Sequence, residues 1–246
     1  MRWLVEGFAI FQHRATLLSF LVLGYWLTMA VISAIPLFGQ VIGLLLIPVF
    51  SVSLMNACRL IDRKEQLPPQ VLFSGFHRNL PTLLTLGVIY VLALLAILGL
   101  SALSDGGLLF RVFVMGETLT REALNQTSLV IAAQLTCVLL IPVVMAFWFA
   151  PVLVAWHDMS AGKSLFFSLV ACLRNWRPFL LYAVTVGVIG AVAPRLINGF
   201  MGASDGGSQL LPSVISVMLS LILLPTLYAS FYISYREIFA DMKNAP

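Results

Sequence analysis

Charge is scarce along this chain. From Ala15 to Cys58 there is no Asp, Glu, Lys or Arg, and charged residues make up only 10% of all 246. Soluble domains carry roughly 25%, because something has to face water. That shortage excludes a water-soluble globule. With hydrophobic residues at 61% and a mean hydropathy of +1.02, the apolar excess must face lipid.

Cysteine is nearly missing as well. Cys58, Cys137 and Cys172 lie in or beside apolar runs, without close Cys or His neighbours, which excludes a disulfide framework and a metal site. There is no His-Glu-x-x-His motif and no Walker phosphate loop. Each His stands beside Arg or Trp at the edge of an apolar run. No catalytic residue, cofactor or metal is expected, and the chain reads as a non-enzyme. Glu6, Gly7, Gln12, His13 and Arg14 interrupt the N-terminal segment, so no cleavable signal peptide is expected.

What the chain does have is long apolar runs. A bilayer core takes about 20 apolar residues per helix, and such runs fall near 15–35, 40–58, 81–103, 128–156, 178–193 and 211–235. The expected fold is all-α, a polytopic membrane bundle of about six transmembrane helices in a single domain over 1–246. Eleven Lys and Arg fall on one side of these spans. Three, Arg111, Arg121 and Arg195, fall on the other. Excess Lys and Arg mark the cytoplasmic side, so both termini are expected there. Trp3, Trp156 and Trp176, with Tyr232 and Tyr235, gather near the same ends, as an interfacial aromatic belt does.

A weak threefold repeat runs through the pattern. Gly7–Arg14, Phe73–Pro81 and Phe167–Pro178 are mixed apolar and basic segments, each leading into an odd-numbered span. The even-numbered spans echo one another through Leu46-Ile47-Pro48, Leu140-Ile141-Pro142 and Leu223-Leu224-Pro225. The implied unit is a cytoplasmic amphipathic segment, a span out and a proline-bearing span back. Three such hairpins point the same way, unlike the inverted repeats of many transporters. Ser-Asp-Gly-Gly turns at 104–107 and 204–207 follow two odd-numbered spans. Beyond the first of them, Leu108 to Leu124 forms an amphipathic stretch with Arg111, Glu117, Arg121 and Glu122.

Every Asp and Glu falls outside the six spans, so no buried carboxylate is available to couple transport to ions. The candidate cavity or kink residues are Pro48, Asn56, Gln134, Pro142, Trp148 and Pro225. Proline removes a backbone donor and frees a carbonyl, which creates polarity inside an apolar helix. Arg59, Arg63, Lys64, Arg78, Arg174 and Arg177 are the candidate contacts for anionic headgroups. They are too dispersed to form a nucleic-acid surface.

Phe147-Trp148-Phe149-Ala150-Pro151-Val152-Leu153-Val154-Ala155-Trp156, then Lys163-Ser164-Leu165-Phe166-Phe167-Ser168 and Leu173-Arg174-Asn175-Trp176, resembles a family of uncharacterised bacterial six-span inner-membrane proteins. Trp3–Phe8 and Phe76–Pro81 fit the same pattern, which covers nearly the whole chain. The resemblance implies a bacterial inner membrane and a helical bundle, and it brings no activity onto particular residues. The expected function is that of a non-catalytic membrane component binding lipids or an unidentified membrane protein partner. The alternative is a transporter or channel for a weakly polar or lipidic substrate, with a cavity beside the prolines.

Overall fold

The computed structural model describes residues 2–35, 38–118, 127–201 and 210–240. Eight longer helices are defined there: α1 (Arg2–His13), α2 (Ala15–Ser33), α3 (Gly39–Asp62), α4 (Leu80–Asp105), α5 (Thr127–His157), α6 (Ala161–Arg174), α7 (Trp176–Met201) and α8 (Leu210–Ile238). A 3₁₀ segment, Pro69–His77, joins α3 to α4. No strand occurs among the described residues. The protein is an all-α polytopic helical bundle. Helices α2, α3, α4, α5 and α8 (over Val214–Ile238) are long and apolar enough to cross a membrane. Helices α6 and α7 meet the same test only as a bent pair, giving a sixth crossing if that pair is one span.

The chain divides into two compact units. The first comprises Met1–Ile35, Phe50–Arg78 and Arg174–Pro246; the second comprises Pro36–Val49 and Asn79–Leu173. Helix α3 therefore contributes to both.

In the first unit, α1 buries Trp3, Gly7, Ile10 and Phe11, a helical spacing that places all four on one stripe. That stripe lies on α8, where a Cβ at Gly7 would come 2.6 Å from the Ser230 amide nitrogen. Trp3 meets Phe179 edge-on at 5.2 Å between ring centroids. Phe50, Leu54, Met55, Leu18, Val22 and Ile233 form the fully buried core. Tyr25 packs on Phe50 at 5.5 Å, and the Ser19 hydroxyl donates to the Leu221 carbonyl at 2.8 Å.

In the second unit, α4 packs along α5, and the Tyr90 and Phe147 rings meet at 5.1 Å. Gly87 of α4 lies against the start of α3, where a Cβ would come 2.4 Å from the Leu45 carbonyl oxygen. Only glycine permits that approach. From Phe149 to Ala155, α5 is buried on every side. Helix α4 stops because Gly106 (φ +63°) and Gly107 (φ +84°) turn left-handed, a conformation that costs glycine little. The Asp105 carboxylate then accepts from the Gly107 and Leu109 amides at 2.9 and 2.8 Å.

Of the amphipathic stretch expected over 108–124, Leu108–Phe110 is helical and Arg111–Met115 forms a π turn. Leu109 packs with Leu129 and Ala132 beside Leu98. Arg121, Glu122 and the second Ser-Asp-Gly-Gly turn lie outside the described residues.

Candidate functional site

The repeat seen in the sequence becomes a pairing rule. Each amphipathic segment packs within its unit against a proline-bearing span, which for the 3₁₀ segment and α6 is the one from the preceding hairpin. The 3₁₀ segment lies on α3, where the Gly75 amide donates to the Ser53 hydroxyl at 2.9 Å and the Asn56 amide donates to the Ser74 hydroxyl at 2.9 Å. Helix α6 lies on α5. There the Ser168 hydroxyl donates to the Met145 carbonyl at 2.8 Å and accepts from the Phe149 amide at 2.9 Å. One side-chain oxygen thus bridges the two groups that would form a helical i to i+4 bond. Helix α1, first in the chain, lies on α8, the last. Each contact rests on a small residue: Gly7, Gly75 or Ser168.

Opposite those buried contacts, the segments expose apolar and basic side chains together. Val5 and Phe8 project from α1, Phe73 from the 3₁₀ segment, and Phe166, Phe167 and Leu173 from α6. Arg14, Arg78, Lys163 and Arg174 are exposed on or beside the same segments. The Arg177 guanidinium lies 5.5 Å from the Trp176 ring centroid, within cation–π range.

A second concentration of charge lies within the first unit, where α1, α3 and α8 bring their polar ends together. Arg236 donates to Asp62 at 2.8 Å and to Glu6 at 3.1 Å. Glu6 also accepts from Arg2 at 2.6 Å, which raises the Arg2 pKa above its ordinary value chiefly through that hydrogen bond. Tyr232 donates its hydroxyl to Asp62 at 2.8 Å, and the Trp3 indole donates to Glu237 at 3.0 Å. Beside this network is a cleft of about 200 Å³ lined by Glu6, Ala9, Ile10, His13, Ile61, Asp62, Lys64, Ile233 and Arg236.

A probable inner membrane protein of Burkholderia thailandensis is 37% identical to the chain over 243 residues, spanning 96% of this chain and 89% of that relative. The chain belongs to that inner-membrane protein family. No protein-family model matches it, and no solved structure does. The match supports an integral inner-membrane protein and names no ligand.

The candidate residues of this inner-membrane protein fall in both units. Asn56 and Pro225 belong to the first unit; Pro48, Gln134, Pro142 and Trp148 belong to the second. Pro48 and Pro225 are buried, Asn56 and Trp148 half-buried, and Gln134 and Pro142 exposed. Of the six headgroup candidates, Arg63, Lys64, Arg78, Arg174 and Arg177 are exposed and Arg59 is half-buried. Gly202-Ala203-Ser204-Asp205-Gly206 has Gly-x-Ser-x-Gly spacing and lies outside the described residues.

Glu6, Asp62 and Tyr232 were not legible as a site. Their partners are far apart in sequence, and the expected spans end at Cys58 and Tyr235, short of Asp62 and Arg236. Helices α3 and α8 in fact run on to Asp62 and Ile238.

Proposed function

We propose that the protein is a non-catalytic component of the bacterial inner membrane, with both termini in the cytoplasm, whose amphipathic segments bind anionic lipid headgroups. The observation that carries this reading is the repeated pairing of exposed Phe with exposed Arg or Lys, at Phe73 and Arg78 and again at Phe166, Phe167 and Arg174. Such a segment lies in the headgroup layer, its apolar side chains inserted and its cations toward phosphate. Each basic residue adds about 1 kcal/mol near an anionic surface, so three segments acting together hold lipid better than any one. The commitment of Glu6, Asp62 and Arg236 to one another accords with a structural use of charge rather than a catalytic one.

Native mass spectrometry of the protein in nanodiscs of mixed phosphatidylglycerol and phosphatidylcholine tests this. The wild type should retain phosphatidylglycerol, and the triple variant Arg78→Gln, Arg174→Gln, Arg177→Gln should lose most of it. Equal retention of both lipids by the wild type would sink the reading. Thiol labelling of a cysteine added after Pro246, in intact cells and inverted vesicles, reads the side on which that terminus lies.

A further inference from the structure

We propose that the cleft at the ends of α1, α3 and α8 is a specific site for one phosphoethanolamine headgroup, the zwitterionic head of an aminophospholipid. This deepens the lipid-binding reading by naming a headgroup that the basic segments do not select.

Charge complementarity points there. Glu6, Asp62, Lys64 and Arg236 line the cleft, two carboxylates and two cations, so the lining is formally neutral with His13 uncharged. A neutral lining of mixed sign suits a molecule that carries both signs. It does not suit a net anion. The carboxylates supply the ammonium half of the site. Glu6 accepts from Arg2 and Arg236, and Asp62 accepts from Arg236 and Tyr232, one bond to each oxygen. A carboxylate has about four lone-pair positions, so both groups keep acceptor capacity for a primary ammonium.

The phosphate half falls to Lys64. The His13 Nδ1 lies 2.9 Å from the Ala9 carbonyl oxygen, which places the proton on that nitrogen and leaves Nε2 as an acceptor for the ammonium. The remaining lining, Ala9, Ile10, Ile61 and Ile233, is apolar, as the glycerol end of a lipid requires.

The backbone at Lys64 closes helix α3. Its amide bonds to the Ile61 carbonyl and the Glu65 amide to the Leu60 carbonyl, both at 3.0 Å. That is the Schellman ending of a helix, in which the left-handed residue is usually glycine. Lys64 occupies that position at φ +57°. The residue in that left-handed position is one of those that line the cleft.

The test uses the full-length protein in nanodiscs of phosphatidylethanolamine, phosphatidylcholine and phosphatidylglycerol, read by native mass spectrometry. Choline has no N–H to donate to Asp62 or Glu6. The wild type should therefore retain one phosphatidylethanolamine over phosphatidylcholine by about tenfold, as hydrogen bonds to charged groups imply. Lys64→Gly should weaken retention of both zwitterionic lipids while the thermal midpoint holds or rises. His13→Ala should reduce the preference with the fold intact. Equal retention of the two zwitterionic lipids by the wild type overturns the proposal, as does undiminished phosphatidylethanolamine retention in Lys64→Gly. Phosphatidylglycerol retention in the same spectra reports the basic segments separately. If it persists without an ethanolamine preference, the headgroup assignment fails alone; if it is absent, the broader lipid reading fails.

Discussion

Asn79 and Asp158 both hold left-handed backbone, at φ +48° and +51°, and the Asn79 side-chain amide donates to the Asp158 carboxylate at 2.6 Å. The same amide nitrogen donates to the Val154 carbonyl at 3.1 Å. One asparagine thus starts α4 and secures the end of α5. Both residue types tolerate this conformation better than other non-glycine residues.

Asn79→Leu removes both hydrogen bonds and puts a branched side chain where φ is positive. The expected loss is about 2 kcal/mol, from hydrogen bonds to a charged group and left-handed strain. It would appear as a lowered thermal midpoint in detergent, with Asn79→Gly falling between the variant and wild type.

Gly7→Leu should release α1 from α8. A Cβ at that position meets Ser230 backbone at under 3 Å, and backbone does not give way as a side-chain tip does. Overpacking of this kind costs about 1–3 kcal/mol. Faster proteolysis within residues 2–13, with the rest of the chain protected, is the expected signature.

Ser168→Ala should destabilise the second unit more than a surface serine would. The buried Phe149 amide donates to the Ser168 hydroxyl, and losing such a hydrogen bond costs about 1 kcal/mol. Hydrogen exchange at the Phe149 amide distinguishes two outcomes. Faster exchange shows the donor left open, whereas unchanged exchange shows α5 closing its own bond to Met145.

Raising ionic strength should weaken phosphatidylglycerol retention at the exposed arginines. The Debye length falls from about 10 Å at 0.1 M to about 3 Å at 1 M salt. A phosphatidylethanolamine preference based on hydrogen bonding in the cleft should change far less. Lipid retention measured across a salt series separates the two.

The membrane bundle was legible because its signal is compositional: uncharged runs of the right length admit few other readings, and α2, α3, α4, α5 and α8 coincide with them. The repeat was legible from Pro48, Pro142 and Pro225, all within helices. Its partner choice was not, since nothing local links Gly7 to Ser230 or Ser168 to Met145. The ion-pair network was hidden for a related reason. Hydropathy ends a span at its last apolar residue, yet a helix continues as long as its backbone can bond, carrying Asp62 about a turn past Cys58 and Arg236 just past Tyr235. The αL lysine at 64 had no sequence signal, because the position it fills is one where glycine is usual.

The docking of α1 on α8 has a consequence for how the chain is made. Gly7 leaves the ribosome first, and Ser230 follows more than two hundred residues later. At about 5–20 residues per second, the N-terminal helix waits roughly ten to forty seconds for its partner. Through that interval the stripe of Trp3, Ile10 and Phe11 has no α8 to cover it, and lipid is the surface at hand. Helix α8 therefore closes a stripe that has stood open since α1 was made, and a chain truncated before Leu210 should leave that stripe uncovered.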